Sequence, residues 1–196
     1  VSAGEMLALI GPNGAGKTTT FNMVGGQLPA GHGSIRFNGH ELIGMKPRAI
    51  WRLGVGRTFQ IAETFDSLDG LLYSMWRRAA EHKRAQALAL LDQVGMAAQA
   101  DRPCSELAYG DVKRVELAIA MANDPKLLLM DEPTAGMAPA ERNALMALTK
   151  KLVTERGMAV LFTEHSMDVV FAYADRMIVL ARGRLIAEGR PLEIRD

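Results

Sequence analysis

Apolar residues in this chain gather into short dense runs separated by stretches of helical periodicity, and the alternation predicts an α/β protein built on a mostly parallel sheet. Glu5-Met-Leu-Ala-Leu-Ile10 is the first run and has strand length; Thr19 to Val24, beyond a set of glycines, reads as the start of a helix. Gly25-Gly26 and Pro29-Ala-Gly31 interrupt regular structure, and Ser34 to Phe37 is a short strand closed by the tight-turn dipeptide Asn38-Gly39. A short helix from Pro47 carries Ile50 and Trp51, and Gly54 ends it before a strand over Val55 to Phe59.

From Ile61 to Ala120 the pattern changes to short helical segments, which reads as a helical insert. Ala87, Leu88, Leu91 and Val94 form one apolar face that ends at Gly95, and Arg102-Pro103 breaks the next piece. Val112 to Met121 carries apolar residues around most of a helix and is expected to be largely buried. Lys126-Leu-Leu-Leu-Met-Asp-Glu132 then has the form of a buried parallel strand that delivers two acids to its C-terminal edge. Pro139 opens a helix with Leu145, Leu148 and Leu152 facing inward and Gly157 as its C-cap; Met158 to Phe162 is another buried strand, ending in Thr163-Glu164-His165. Ser166 is placed to cap the following helix, and Met177 to Leu180 and Leu185 to Ala187 are strands joined around Arg182-Gly183.

Gly11 to Thr19, GPNGAGKTT, sits between the first strand and the first helix and matches the phosphate-binding pattern GxxxxGK[ST]. Gly11, Gly14 and Gly16 let the backbone curl so that N–H groups converge on phosphate oxygens, with Lys17 as a point charge and Thr18 a hydroxyl for Mg2+. The strand and helix on either side set this apart from a glycine turn capping an ordinary helix. Nucleoside triphosphate binding is the working hypothesis.

Composition narrows the class further. The 196 residues are 48% hydrophobic, enough for one substantial core with a small lobe attached. The net charge of +1 arises from interspersed signs, with short clusters such as Arg77-Arg78 and Lys113-Arg114, and gives nucleic-acid binding no support. Cys104 is the single cysteine, so no disulfide can close within the chain, and nothing has zinc-ligand spacing. The twelve methionines, Met130 and Met158 among them, read as core filler. No stretch approaches the ~18 apolar residues of a spanning helix and no signal peptide is visible, so a cytoplasmic protein is expected. Because Val1 stands almost at the first strand, the native protein is expected to begin earlier, with further N-terminal strands.

A P-loop, a glutamine after a strand, a glycine-containing helix start, a strand ending Asp-Glu and a strand ending in histidine, in that order, resemble the nucleotide-binding subunit of an ABC transporter. The resemblance covers essentially the whole chain. It implies a P-loop NTPase (RecA-like) core over 1–60 and 121–196 and a helical ABC-specific subdomain over 61–120. It also implies that Gly11, Pro12, Asn13, Gly14, Ala15, Gly16, Lys17, Thr18 and Thr19 hold ATP as the Walker A loop. Gln60 is then the Q-loop residue, Leu127 to Asp131 is Walker B, Glu132 is the catalytic carboxylate that polarises the attacking water, and His165 is the switch histidine. Glu132, His165, Gln60 and Lys17 form the catalytic set; Thr18, Gln60 and Asp131 attend Mg2+. Taken singly, a loop glutamine is ordinary polar surface and a histidine beside a helix start is a cap or core residue. His32, His40 and His82 stay at that plain reading.

Leu107, Ala108, Tyr109, Gly110 and Asp111 match the signature sequence, which in the family completes the ATP site of an opposing subunit. A second ATPase subunit, identical or paralogous, is therefore implied, with transmembrane permease subunits and, indirectly, a substrate-binding protein. No nucleic-acid partner is expected, and the place of work is the inner face of the plasma membrane. Ala108 replaces the usual serine, and Ala138 replaces the aspartate often found after Walker B. LAYGD, the segment AGMAP and Arg57-Thr-Phe-Gln60 are similar to the RTFQ type of ATPase in branched-chain amino-acid importers, and several of these cues are shared by urea, amide and lipopolysaccharide-transport ATPases. A soluble relative acting on DNA would carry a coiled-coil or zinc-bearing insertion, and a ribosome-binding relative two tandem ATPase units. The family's adenine-stacking aromatic would precede Val1, and the insert between Phe65 and Trp76 looks short around Leu68-Asp69-Gly70.

Overall fold

Met6 to Ile10 contain no polar side chain, and the strand they form, β1 (Met6–Ile10), is buried at every position. The structure is a computed structural model and describes residues 1–58 and 84–194. Around β1 the elements run in chain order as α1 (Lys17–Val24), β2 (Arg36–Phe37), β3 (His40–Glu41), α2 (Pro47–Arg52) and β4 (Val55–Arg57). A helix α3 is described over 84–93. Then follow 3-10 turns at Ala97–Gln99 and Cys104–Glu106, α4 (Tyr109–Ala120), β5 (Leu127–Asp131), α5 (Pro139–Arg156) and β6 (Ala159–Thr163). The chain closes with α6 (Met167–Tyr173), β7 (Arg176–Ala181), β8 (Arg184–Gly189) and α7 (Pro191–Ile194).

Six strands form one sheet in the order β4-β5-β6-β1-β7-β8. All neighbours are parallel except the β7–β8 hairpin. Parallel strands buried on both faces need apolar side chains on both, and β5 and β6 accordingly read LLLMD and AVLFT. Leu7, Leu9, Phe21, Leu42, Ile50, Leu127, Leu129 and Leu161 make one continuous cluster, and Met130 and Met158 are each 1% exposed. Asn38-Gly39 turns β2 into β3 as expected, with both residues at positive φ.

The described chain divides into two compact units, Val1–Arg57 with Asn123–Asp196, and Thr58–Ala122. The first contains the sheet. Within the second, Val94 is buried behind α3 and Gly95 turns the chain with φ 72°. The helix expected over Val112 to Met121 starts a turn earlier, at Tyr109, and its burial is not simply apolar. Ile119 is exposed, whereas Lys113 and Glu116 are buried as an ion pair, Nζ to Oε2 at 3.0 Å, with the ammonium 5.4 Å from the Tyr109 ring centre. The i, i+3 spacing puts both charges on one side of the helix, so each neutralises the other.

Two further expectations change. Ser166 stands at the N-cap of α6 without capping it through its side chain; its hydroxyl accepts from Arg142 Nη1 at 3.0 Å instead. On α5 the inward face is Leu145, Met146, Thr149, Leu152 and Val153, while Leu148 is only half-buried. Phe59, Gln60, the segment from Phe65 to Trp76 and His82 lie outside the described residues. Among those described, no helix is long and apolar enough to cross a membrane.

Candidate functional site

The ends of β1, β5 and β6 lie side by side because β6 pairs with both of the others, all three running the same way. Whatever follows these strands therefore gathers at one edge of the sheet, where open α/β sheets bind ligands.

After β1 the chain enters the glycine loop. Gly11, Gly14 and Gly16 take φ values of 150°, 77° and 101°, so the need for glycine is real at each. Gly16 is the N-cap of α1, whose free N–H groups and positive dipole end face the loop. Lys17 is buried, and its Nζ donates to the carbonyls of Gly11 at 2.8 Å and Pro12 at 3.2 Å. The ammonium is thereby held over the loop. Pro12, Asn13, Gly14, Thr18 and Thr19 are exposed, Ala15 is buried, and the Thr20 hydroxyl turns back to the Gly16 carbonyl at 3.0 Å. Behind the loop, the Gly183 N–H in the β7–β8 turn donates to the Ala15 carbonyl at 2.9 Å.

Asp131 ends β5 directly opposite Thr163 of β6. Its Oδ1 accepts from the Thr163 hydroxyl at 2.7 Å, and its Oδ2 lies 3.8 Å from Arg57 Nη2 at the end of β4. Arg57 also donates to Asn22 Oδ1 of α1 at 2.9 Å, which ties the phosphate-loop helix to the same corner. Burial pushes the proton affinity of the Arg57 guanidinium down and the Asp131 charge opposes this, so it remains a cation.

Glu132 departs from strand geometry with φ 49°, a left-handed turn that a non-glycine residue seldom takes. That turn sends adjacent carboxylates apart. Asp131 stays with Thr163 and Arg57, while Glu132 Oε1 meets His165 Nε2 at 2.8 Å. Both of these last side chains are substantially exposed, His165 at 52% and Glu132 at 37%, as groups that must reach a substrate need to be. Between Thr163 and His165, Glu164 is 5% exposed and accepts from the Thr134 N–H at 3.0 Å, the Thr134 hydroxyl at 2.5 Å and the His165 N–H at 3.2 Å.

The structure thus brings together Gly11 to Thr19 with Asp131, Glu132 and His165 in one unit. Leu107, Ala108, Tyr109, Gly110 and Asp111 lie in the other unit, at the start of α4 with Ala108 as N-cap. Gly110 and Asp111 fall in the first helical turn, and Tyr109 is 44% exposed. Gln60 lies outside the described residues. Thr163, Glu164 and Arg57 received no site role from sequence. Their signal is the register of neighbouring strands, which the sequence does not print.

The donor set suits Mg2+. Asp131 and Thr18 offer hard oxygen ligands, and Mg2+ is commonly held by one or two carboxylates together with phosphates and water. Among the described residues no group of three or more His, Cys, Asp or Glu could hold a metal ion.

Residues 1–135 match the model of the ABC transporter family. The chain is 35% identical to the high-affinity branched-chain amino acid transport ATP-binding protein BraF of Pseudomonas aeruginosa, over 98% of this chain and 83% of that protein. It is 36% identical to the corresponding LivG of Salmonella typhimurium, with the same coverage. These alignments span 212 residues, more than the 196 of this chain, so the relatives carry segments with no counterpart here. Among solved structures, a nucleotide-free ATP-binding cassette of an ABC transporter superposes with a TM-score of 0.87 at 30% identity, covering 98% of this chain and 84% of the other. Another ATP-binding cassette of an ABC transporter gives a TM-score of 0.90 at 31% identity, over 100% and 84% of the two chains. A phosphate loop, an Asp-Glu strand end and a histidine at one sheet edge, in a chain matched along its length by such cassettes, make this protein an ATPase of the ABC transporter family.

Proposed function

We propose that the protein is the ATP-hydrolysing subunit of an importer of branched-chain or other hydrophobic amino acids. The amino-acid assignment rests on BraF and LivG, whose names state that activity. In this reading the chain works as a dimer with a second ATPase subunit and sits on the cytoplasmic face of the membrane through permease subunits. Gln60 passes the motion to the permease. Leu107 to Asp111 contribute a helix start to the partner's nucleotide.

The observation that carries the hydrolytic mechanism is the Glu132–His165 contact of 2.8 Å at the sheet edge that also bears the phosphate loop. Gly11 to Thr19 cradle the triphosphate with backbone N–H groups, and Lys17 exchanges its loop carbonyls for phosphate oxygens. Asp131 and Thr18 hold Mg2+, which neutralises phosphate charge when bound. Glu132 accepts a proton from the attacking water, a contribution of about 10²- to 10⁴-fold in rate. His165 steadies Glu132 and donates toward the γ-phosphate.

Glu132→Gln keeps the size and removes the basic oxygen. ATP turnover is expected to fall at least 100-fold with ATP binding retained, and an unimpaired mutant removes Glu132 from the mechanism. For the cargo, uptake of labelled leucine is measured in cells that lack the gene and are complemented with wild type or Glu132→Gln. Equal uptake in both overturns the import assignment.

A further inference from the structure

Three consecutive residues at and just beyond the end of β6 each bond the segment 131–134 at and just beyond the end of β5, and only His165 has a role in the mechanism above. Thr163 is the most tightly enclosed of them, with no exposed surface. Its one hydroxyl does two things at once: it donates to Asp131 Oδ1 at 2.7 Å and accepts from the Glu132 N–H at 2.9 Å. A hydroxyl can do both at a single atom, since its oxygen carries one O–H donor and two lone pairs.

The position makes this unusual. Asp131 and Thr163 are register partners in a parallel pair, so in a buried sheet core this site takes an apolar side chain, as Val160, Leu161 and Phe162 do before it. Immediately beyond, Glu132 adopts φ 49°, a conformation that costs a residue with a Cβ free energy and persists where the surroundings fix it. The bond to its N–H is the fixing contact that comes from β6, beside a turn bond within the segment itself, in which the Glu132 carbonyl accepts from the Ala135 N–H at 3.1 Å. The Asp131 carboxylate and the Glu132 N–H are thus both tied to Oγ1, so one atom links the orientation of the first acid to the turn that carries the second.

We infer that Thr163 is the positioning residue of this ATPase: it orients Asp131 toward the metal and holds the left-handed turn that turns Glu132 away toward His165. The inference rests on the roles proposed above for Asp131 and Glu132. Thr163 touches neither nucleotide nor metal. It acts through the two acids, and so it affects chemistry and metal dependence more than capture of the triphosphate, which the glycine loop performs.

The test compares wild type with Thr163→Val, which keeps the β-branched shape and removes the hydroxyl, Thr163→Ser, which restores it, and Glu132→Gln. Thermal melting, kcat and KM for ATP, binding of a fluorescent ATP analogue without Mg2+, and titration of that complex with Mg2+ are measured on each. For Thr163→Val, kcat is expected to fall about tenfold, the equivalent of one ordinary hydrogen bond. The Mg2+ midpoint should rise several-fold, while Mg2+-free binding and KM at saturating Mg2+ stay within about twofold. Thr163→Ser should recover most of both losses. The inference is overturned if Thr163→Val keeps full kcat and an unchanged Mg2+ midpoint while Glu132→Gln is inactive, or if Thr163→Ser is as impaired as Thr163→Val. Thr163→Ala removes the same hydroxyl and must show the same split between kcat and KM, so poor folding of the valine variant leaves the question decided. An active Glu132→Gln overturns the underlying assignment of Glu132 instead, a result separable from either failure of Thr163.

Discussion

Gly11→Ala adds one carbon to the phosphate loop at the point where the loop runs closest to the rest of the protein. The new Cβ would lie 2.2 Å from the Leu180 carbonyl oxygen, more than 1 Å inside the 3.4 Å at which ordinary contact begins. That oxygen belongs to the backbone of β7, whose Leu180 is paired with Leu185 of β8, so it cannot swing aside like a side chain. The conformation itself, φ 150°, adds a penalty of about 1–3 kcal/mol for a residue with a Cβ. Forcing the loop or the hairpin apart adds roughly 1–3 kcal/mol more. Gly14→Ala is the internal control, because its φ of 77° is strained while nothing lies within 4 Å of an added Cβ; about 1–2 kcal/mol is expected there. For a domain of this size each kcal/mol shifts the melting temperature by about 2–4 °C. Thermal denaturation should therefore place Gly11→Ala roughly 10 °C below wild type and Gly14→Ala about half as far. Titration with a fluorescent ATP analogue should show weakened binding for Gly11→Ala, since the displaced loop carries the phosphate donors. A Gly11→Ala protein that melts with wild type, or one more stable than Gly14→Ala, would refute the claim that β7 forms a rigid wall behind the loop.

Two other perturbations test features away from the nucleotide. Lys113→Met leaves the 4%-exposed Glu116 without its ammonium and is expected to cost about 3–5 kcal/mol in urea denaturation, whereas Lys113→Met with Glu116→Leu should lose much less; equal losses in single and double variants would contradict an ion pair. Glu5 is pushed up by burial, but the Arg176 guanidinium at 2.7 Å and the Ser2 N–H outweigh this and hold it below the usual carboxylate range. A depressed folded value means stability that is present above the unfolded value and is lost as pH falls through the folded one. Glu5→Gln should therefore be less stable than wild type near neutrality, by about 1 kcal/mol, with melting curves that converge in acid below the carboxylate range; a difference that persists there would assign the effect to packing.

Much of the site was legible because its chemistry is local in sequence. Gly11 to Thr18 carry their own spacing, and an apolar run before Asp131 and Glu132 announces a strand that ends in acids. What stayed hidden depends on which strands become neighbours. The bonds from Thr163 to Asp131, Glu164 to Thr134 and Arg57 to Asn22 join residues about thirty or more positions apart, and no periodicity reports them. Hydrophobic pattern also misread α4, since it assigns burial by apolarity and Lys113 and Glu116 are buried as a neutralised pair. Ser166 followed a sound local rule that Arg142, from another helix, overrode.

The wall behind the phosphate loop is made by Leu180 and Gly183, some 170 residues later in the chain than the glycines they support. A chain synthesised from its N-terminus exposes Gly11 to Thr19 well before it obtains their backing. Closing so long a loop is slow in entropic terms, and contacts of high sequence separation form late in folding. Competence to bind nucleotide should consequently wait until β7 and β8 have formed, and ATP should stabilise chains that carry the hairpin while leaving shorter nascent ones alone. Chains released before Gly183 would carry the full phosphate-binding motif and still fail to retain ATP, which makes nucleotide capture conditional on the β7–β8 hairpin.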